Sequence, residues 1–170
     1  MRFDELPEDS ARALLLRCLA APAWAEQVLS GRPYATKEQL VSAADRAARE
    51  LSDDDVVAAL AGHPRIGERA EEGHNAAASA REQAGVVSLT RTTDDQGRTT
   101  AEQLAQQLAE HNRAYEARFG QVFLIKAAGR TGPEILGELR RRLGNPPEVE
   151  RGEMIDNLRQ IALLRLEGEV

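Results

Sequence analysis

The chain has 170 residues, of which 42 % are hydrophobic and 29 % charged, a composition typical of one globular domain with a sizeable core. Its net charge of −6 argues against a protein that binds nucleic acid or an anionic membrane, so an anionic ligand would need a local cation. The single cysteine, Cys18, excludes an internal disulfide. We expect no secretory leader, since charged residues follow Met1, and no membrane span, since no run approaches about 18 apolar residues. We therefore expect a cytoplasmic protein.

Helix signals recur in order along the chain. They predict helices at about residues 11–20, 22–31, 40–51, 56–61, 76–87, 104–119, 135–143 and 147–168. Paired start signals are Thr36 with Gln39, Ser52 with Asp55, and Thr131 with Glu134. The apolar run Val122–Ile125 has no assignable period, and we predict a buried helix there because helices flank it. Since no alternating strand pair is evident, we predict an all-α, single-domain bundle of about eight helices over residues 1–170.

The stretch from Ala61 to Gly67 contains a histidine between residues that fix the backbone. Gly62 is a natural stop for the preceding helix, and Pro64 disfavours helical geometry at His63. An imidazole held in this way is a candidate acid or base, although a capping or turn histidine fits the same pattern. The three histidines of the chain have no metal-ligand spacing among themselves, and zinc, phosphate-loop and nucleophile-elbow motifs are absent, so we expect no metal site.

Helical spacing places several polar residues where core-facing side chains are expected. One face carries a hydroxyl, a carboxylate, an amide and an apolar side chain: Ser79, Glu82, Gln83 and Val86. Polar groups on an inward face are unfavourable unless they bind something, but a solvated face fits this spacing equally well. In the last helix, Arg165 continues an apolar stripe formed by Leu158, Ile161 and Ala162. A guanidinium at that position needs an anion, either a carboxylate of the protein or one of a ligand.

The apolar run continues to Ala127 and includes Lys126. Core packing is the simplest interpretation of its apolar members, although such a segment can also supply an apolar wall and backbone contacts to a ligand. Solvation at the surface is the simplest interpretation of Lys126 and Arg130.

Several sequence elements, spread over most of the chain, resemble one known family. They are Leu29–Tyr34, His63–Gly67, Ser79–Gln83, Asn112–Gly120 with Phe123–Ile125, Gly129–Thr131 and Leu164–Leu166. In this order and spacing they resemble the OHCU decarboxylases of urate breakdown. Those enzymes convert 2-oxo-4-hydroxy-4-carboxy-5-ureidoimidazoline (OHCU) to (S)-allantoin.

The resemblance implies an all-helical homodimer whose reaction needs no metal or organic cofactor. It implies that His63 is the catalytic acid/base, that Glu82 and Arg165 act with it, and that Pro64 lines the site. Glu82 and Gln83 would read the ureido and ring N–H groups of the substrate. The other implied substrate contacts are Ser79, Ala80, Arg81, Phe123, Leu124, Ile125, Lys126 and Ala127. The final residues, Glu167 to Val170, are not a peroxisomal signal, which fits a cytoplasmic bacterial enzyme.

Three other functions fit parts of the pattern. A non-catalytic helical module could use the same polar residues to bind a small ligand or a peptide. The second alternative is another hydrolase or lyase of ureido compounds, for example one that hydrolyses 5-hydroxyisourate, a step that is expected on an unrelated β-rich fold. A purely structural dimer could pair Arg165 with Glu82 and bind no ligand.

Overall fold

The computed structural model describes residues 3–61, 63, 65–67 and 100–170, where all regular secondary structure is helical. A short 3-10 helix at Phe3–Glu5 precedes α1 (Glu8–Cys18), α2 (Pro22–Ser30), α3 (Lys37–Arg49), α4 (Asp53–Leu60), α5 (Thr100–Phe119), α6 (Gly132–Leu143) and α7 (Pro147–Glu169). The predicted all-α class is confirmed, and the seven α-helices in these ranges are close to the predicted number. The helix expected at residues 76–87 lies outside the described residues. None of the helices in these ranges is long and apolar enough to span a bilayer.

Local chemistry accounts for where the helices begin. Ser52 and Asp55 form a complete capping box on α4, because each side chain bonds the backbone N–H of the other. Thr131 and Glu134 do the same for α6, as the sequence predicted. Pro22 occupies the first turn of α2, where its missing N–H leaves no intrahelical bond unmade.

The predicted helix at Val122–Ile125 is wrong, although the predicted burial of its apolar residues is right. Residues 122–127 are non-helical, while Phe123, Leu124 and Ile125 are buried. Gly120 ends α5 with φ +71°, a left-handed conformation that glycine adopts without steric penalty. The carbonyl of Leu124 accepts a hydrogen bond of 2.8 Å from Nη1 of Arg142. A side chain from a later helix thus satisfies a buried carbonyl that a local helix would otherwise have satisfied.

The chain divides into two compact units, residues 1–62 with 155–170 and residues 63–154. The predicted single domain remains a prediction. In the first unit, α1 packs on α2 and α2 packs on α3. The indole of Trp24 is buried and donates a 2.9 Å hydrogen bond to the carbonyl of Ala44, which ties α2 to α3. An ion pair between Asp45 and Arg159 ties α3 to the C-terminal part of α7.

The second unit is built around the packing of α5 against α6. Its apolar cluster comprises Ile66, Leu104, Leu108, Tyr115, Phe123, Ile125, Ala127, Ile135, Leu136 and Leu139. This cluster contains residues from three of the elements that the sequence analysis singled out, namely the histidine motif, the Asn112–Gly120 element and the apolar run.

Candidate active site

His63 lies just after α4 in non-helical backbone, and its side chain is half-buried. Gly62 and Pro64, which the sequence analysis expected to fix its conformation, lie outside the described residues. Nε2 of its imidazole is buried, while other atoms of the residue remain accessible to solvent. The location of His63 is therefore compatible with acid/base chemistry.

The residues after His63 are anchored to α5 by three kinds of contact. We call residues 63–67 the histidine segment. Arg65 makes a bidentate ion pair with Glu116, with Nε···Oε1 at 2.5 Å and Nη2···Oε2 at 2.9 Å. The side chain of Ile66 is buried in the cluster of the second unit, and its carbonyl accepts a 3.0 Å hydrogen bond from Nδ2 of Asn112. Gly67 has φ +87°, a conformation that favours glycine.

The electrostatics of this anchor are those of an ionised pair. Hydrogen bonding to Arg65 lowers the pKa of Glu116 below its ordinary value, and the effect of partial burial in the opposite direction is smaller. Glu116 therefore remains a carboxylate throughout the neutral range, and the bidentate geometry fixes the orientation of the guanidinium.

The apolar run is mostly buried in the same unit. We call Phe123–Ala127 the wall segment. Four of its five side chains are buried, and that of Lys126 is half-buried. Phe123 packs edge-on against Tyr115, with ring centroids 5.2 Å apart. Since Ile66 belongs to the same apolar cluster as Phe123, Ile125 and Ala127, the structure brings the histidine segment and the wall segment together.

A largely buried polar network supports the wall segment, and sequence reasoning missed it. Arg142 and Glu150 both have 0 % exposure, and Nε of Arg142 donates to Glu150 at 2.9 Å. Glu150 also accepts hydrogen bonds from the hydroxyl of Tyr115 and, at 2.9 Å, from Nδ2 of Asn145. Burial and then the hydrogen bond to Glu150 raise the pKa of Tyr115, which keeps its phenol protonated. Arg142 also stacks over the ring of Phe123 at 4.6 Å.

The spacing rule that identified Arg165 would also have found part of this network. Arg142 follows Ile135 and Leu139 at i+7 and i+3, so it continues an apolar stripe of α6. Asn112 likewise falls between Leu108 and Tyr115 on the buried face of α5.

Arg165 lies in the first unit, on the stripe predicted from the sequence. Leu158, Ile161 and Ala162 are buried, and Arg165 itself is only 9 % exposed. The prediction that Arg165 occupies a core-facing position is thus confirmed. It also influences Cys18, whose pKa is raised to about 12, mainly by burial, while the positive charge of Arg165 opposes the increase. Cys18 is buried, as expected of a core residue.

The remaining predicted site residues lie outside the described residues. They are Pro64, Ser79, Ala80, Arg81, Glu82 and Gln83. Their roles stay predictions, as do the catalytic roles of His63 and Arg165. Among residues 3–61, 63, 65–67 and 100–170, no group of three or more His, Cys, Asp or Glu side chains has a geometry suited to a metal ion.

The Leu29–Tyr34 element has a structural role in the first unit. The guanidinium of Arg32 donates hydrogen bonds to the carbonyls of Phe3, Asp4 and Leu6, at 3.0, 2.7 and 2.8 Å. The hydroxyl of Tyr34 donates to the carbonyl of Val28 at 2.7 Å. These bonds fasten the residues before α1 to the end of α2, so this element stabilises the fold.

A family model and two curated proteins match the chain. The model, described as OHCU decarboxylase, matches residues 4–167. The 2-oxo-4-hydroxy-4-carboxy-5-ureidoimidazoline decarboxylase of Haloferax volcanii is 31 % identical over 146 residues, which are 86 % of this chain and 80 % of that protein. The uric acid degradation bifunctional protein TTL of Arabidopsis thaliana is 32 % identical over 133 residues, or 78 % of this chain. The chain spans 39 % of the length of that plant protein.

Two solved structures are similar to the whole chain or nearly so. A crystal structure of OHCU decarboxylase in the presence of (S)-allantoin has a TM-score of 0.72 and 26 % identity, and the match covers 91 % of this chain and 94 % of that one. A crystal structure of (S)-allantoin synthase has a TM-score of 0.68 over 99 % of this chain and 52 % of that one, and its 19 % identity supports the fold alone. The resemblance found in the motifs is confirmed by the family model and the Haloferax relative: the chain belongs to the OHCU decarboxylase family.

Proposed function

We propose that this chain decarboxylates OHCU to (S)-allantoin, with His63 as its acid/base. The observation that carries the proposal is the family match over residues 4–167, which includes the histidine segment, the wall segment and Arg165. The anchoring of the histidine segment to α5 supports it, because an acid/base must be held in a fixed position relative to the reacting atoms.

The chemistry of the substrate explains what the protein has to do. OHCU carries its carboxylate on a ring carbon next to a C=N bond. When the C–CO2⁻ bond breaks, its electron pair can form a C=C bond to the neighbouring ring carbon, and the imine nitrogen takes up a proton. The resulting enol loses its hydroxyl proton, and the ring carbon that bears the ureido group gains a proton. The net change is uptake of one proton and release of CO2, with the substrate itself acting as the electron sink.

Each proposed residue has one task in this sequence. His63 would exchange the proton at the 4-hydroxyl, next to the leaving carboxylate. Glu82 would hold the ureido or ring N–H groups and orient His63. Arg165 would neutralise the substrate's negative charge or stabilise the developing enolate, as a guanidinium in a mostly buried position can. The wall segment would exclude water and fix the plane of the ring, so that the carboxylate leaves perpendicular to it.

A chirality assay tests the proposal. Freshly prepared OHCU is mixed with enzyme, and the circular dichroism of (S)-allantoin is followed, since uncatalysed decay gives a racemate without signal. His63→Gln and Glu82→Ala are compared with the wild type, and His111→Gln on α5 serves as the matched histidine control. General acid–base catalysis contributes about 10²–10⁴-fold, so His63→Gln should lose at least that much turnover while keeping the wild-type helical spectrum. Near-normal turnover of His63→Gln would refute its role.

The same assay separates the alternatives. A wild type that binds OHCU or allantoin without accelerating formation of the (S)-enantiomer would refute the decarboxylase and favour a ligand-binding module. From the family resemblance we further propose a homodimer that works in the cytoplasm. Sedimentation velocity of the purified chain tests the first statement, and cell fractionation tests the second.

A further inference from the structure

We propose that three residues of α5, Asn112, Tyr115 and Glu116, are positioning residues. They hold two segments of the second unit, the histidine segment and the wall segment, at a fixed spacing from each other. This inference rests on the proposed function for its consequence on turnover. Its structural part, the coupling of each segment to a specific side chain of α5, is independent of which reaction the site performs.

The three residues share one face of the helix. Positions 112, 115 and 116 are related by i, i+3 and i+4, so their side chains project in neighbouring directions from a single rigid element. Asn112 and Tyr115 are 3 % and 0 % exposed, and Glu116 is half-buried at the edge of this face. Burial of an amide and a phenol beside an apolar cluster is unfavourable unless each makes a specific bond.

Two of the three residues bond the histidine segment. Nδ2 of Asn112 donates to the carbonyl of Ile66, and Glu116 accepts both hydrogen bonds of the Arg65 guanidinium. Together they hold the backbone and the side chain of consecutive residues just after His63. The orientation of the Asn112 amide is fixed by this contact, because the opposite orientation would place two oxygens together.

The third residue reaches the wall segment through a relay. The hydroxyl of Tyr115 donates to Glu150, which pairs with Arg142, which in turn donates to the carbonyl of Leu124. The ring of Tyr115 packs directly against Phe123 at 5.2 Å. Since Tyr115, Glu150 and Arg142 have 0 % exposure, solvent cannot replace any of these bonds.

Because both segments are bonded to one face of α5, the side chains of that face fix the spacing between the histidine segment and the wall segment. Misplacement of a reacting group by about 1 Å can reduce turnover on the order of 10²-fold. Side chains that never touch substrate can therefore affect turnover strongly, provided that they hold the elements that do.

The experiment uses three near-isosteric substitutions, each with a matched control in the full chain. Asn112→Asp replaces the donor by an oxygen that repels the Ile66 carbonyl, and Gln107→Glu makes the same amide-to-acid change at an exposed position of α5. Glu116→Gln removes the charge facing Arg65, and Glu110→Gln is its exposed control on the same helix. Tyr115→Phe removes the hydroxyl, and Tyr34→Phe removes a tyrosyl hydrogen bond in the first unit. Hydrogen exchange is measured for peptides covering residues 63–67 and 122–127, together with kcat and KM for OHCU.

The expected result is a crossed pattern. Asn112→Asp and Glu116→Gln speed exchange in residues 63–67 and leave residues 122–127 protected, whereas Tyr115→Phe does the reverse. Turnover falls roughly ten- to hundred-fold in all three, mainly in kcat, while the three controls keep wild-type exchange and turnover. The charge swap Arg65→Glu with Glu116→Arg restores protection of residues 63–67 relative to either single change.

Uniform loosening of both segments by each substitution would overturn the proposal, because that pattern reports general destabilisation. Wild-type exchange and turnover in all three variants would overturn it as well. Glu116 is only half-buried, so Glu116→Gln decides the question even where Asn112→Asp does not fold. A wild type that fails to turn over OHCU refutes the proposed function, while the exchange pattern still decides whether α5 holds the two segments.

Discussion

Replacing Arg142 by methionine should destabilise the protein strongly, because it leaves a carboxylate in the core without its counterion. Arg142 and Glu150 are both completely buried, and Arg142 contributes Nε and Nη2 to the carboxylate and Nη1 to the carbonyl of Leu124. Methionine approximates the length and volume of the arginine stem but donates no hydrogen bond. The substitution therefore removes the charge pairing without opening a large cavity.

The expected loss follows from the burial of the pair. Breaking a fully buried ion pair by removing one partner costs about 3–5 kcal/mol, which is a large fraction of a stability of about 5–15 kcal/mol. At this chain length roughly 2–4 °C of Tm corresponds to each kcal/mol, so Tm should fall by about 6–20 °C. Glu150 retains hydrogen bonds from Tyr115 and Asn145, which favours the lower part of that range.

Urea denaturation followed by the helical signal at 222 nm measures the effect. Arg140→Met is the matched control, since Arg140 is an exposed arginine of α6, and it should change stability by less than about 0.5 kcal/mol. The double variant Arg142→Met with Glu150→Met should lose about 1–3 kcal/mol less free energy of unfolding than the two single variants lose together. A loss below about 1 kcal/mol for Arg142→Met, or strictly additive single changes, would refute the reasoning from a buried ionised pair.

Three further predictions address backbone conformation, thiol reactivity and pH. Gly67→Ala should lower the free energy of unfolding by about 1–2 kcal/mol because φ is +87° at this position. Gly137→Ala, at an exposed helical position with open space, should raise it by about 0.5–1 kcal/mol. Changes of the same sign for both variants in urea denaturation would contradict this. Cys18, with its pKa raised to about 12 by burial, should react with Ellman's reagent at pH 8 only after denaturation, and rapid labelling of the native protein would argue against its burial. Arg65 lowers the pKa of Glu116. The ion pair therefore stabilises the protein fully at a pH above the ordinary pKa of glutamate, and this stabilisation is lost as the pH falls through the lowered pKa. The stability difference between wild type and Glu116→Gln should shrink in acid, and a difference independent of pH would exclude this linkage.

Sequence reasoning succeeded where the controlling interactions are local. The helix starts after Ser52 and Thr131 depend on residues three positions apart, and both helices begin where the sequence predicted. The buried position of Arg165 also follows from spacing within one helix. Family membership could be predicted because short motifs kept their order along most of the chain, and it is confirmed.

The errors and omissions occur where distant residues decide. Residues 122–127 are non-helical because Gly120 turns the chain and Arg142, a residue of a later helix, satisfies the Leu124 carbonyl. A run of a few apolar residues has no period that distinguishes a helix from irregular buried backbone. Spacing within α6 could have marked Arg142 as core-facing, but its pairing with Glu150 joins two helices and does not follow from spacing within either. The roles of His63, Glu82 and Arg165 in catalysis stay predictions.

The buried ion pair between Arg142 of α6 and Glu150 of α7 restricts which substitutions this sequence can accumulate in evolution. Loss of either charge alone leaves the other buried without a counterion. A lineage that changes one position must therefore pass through a protein whose folded state is markedly less stable. Tyr115 shares the same carboxylate and is therefore subject to the same restriction. Positions 115, 142 and 150 should consequently be inherited as a set, with replacements appearing jointly across descendants and rarely one at a time.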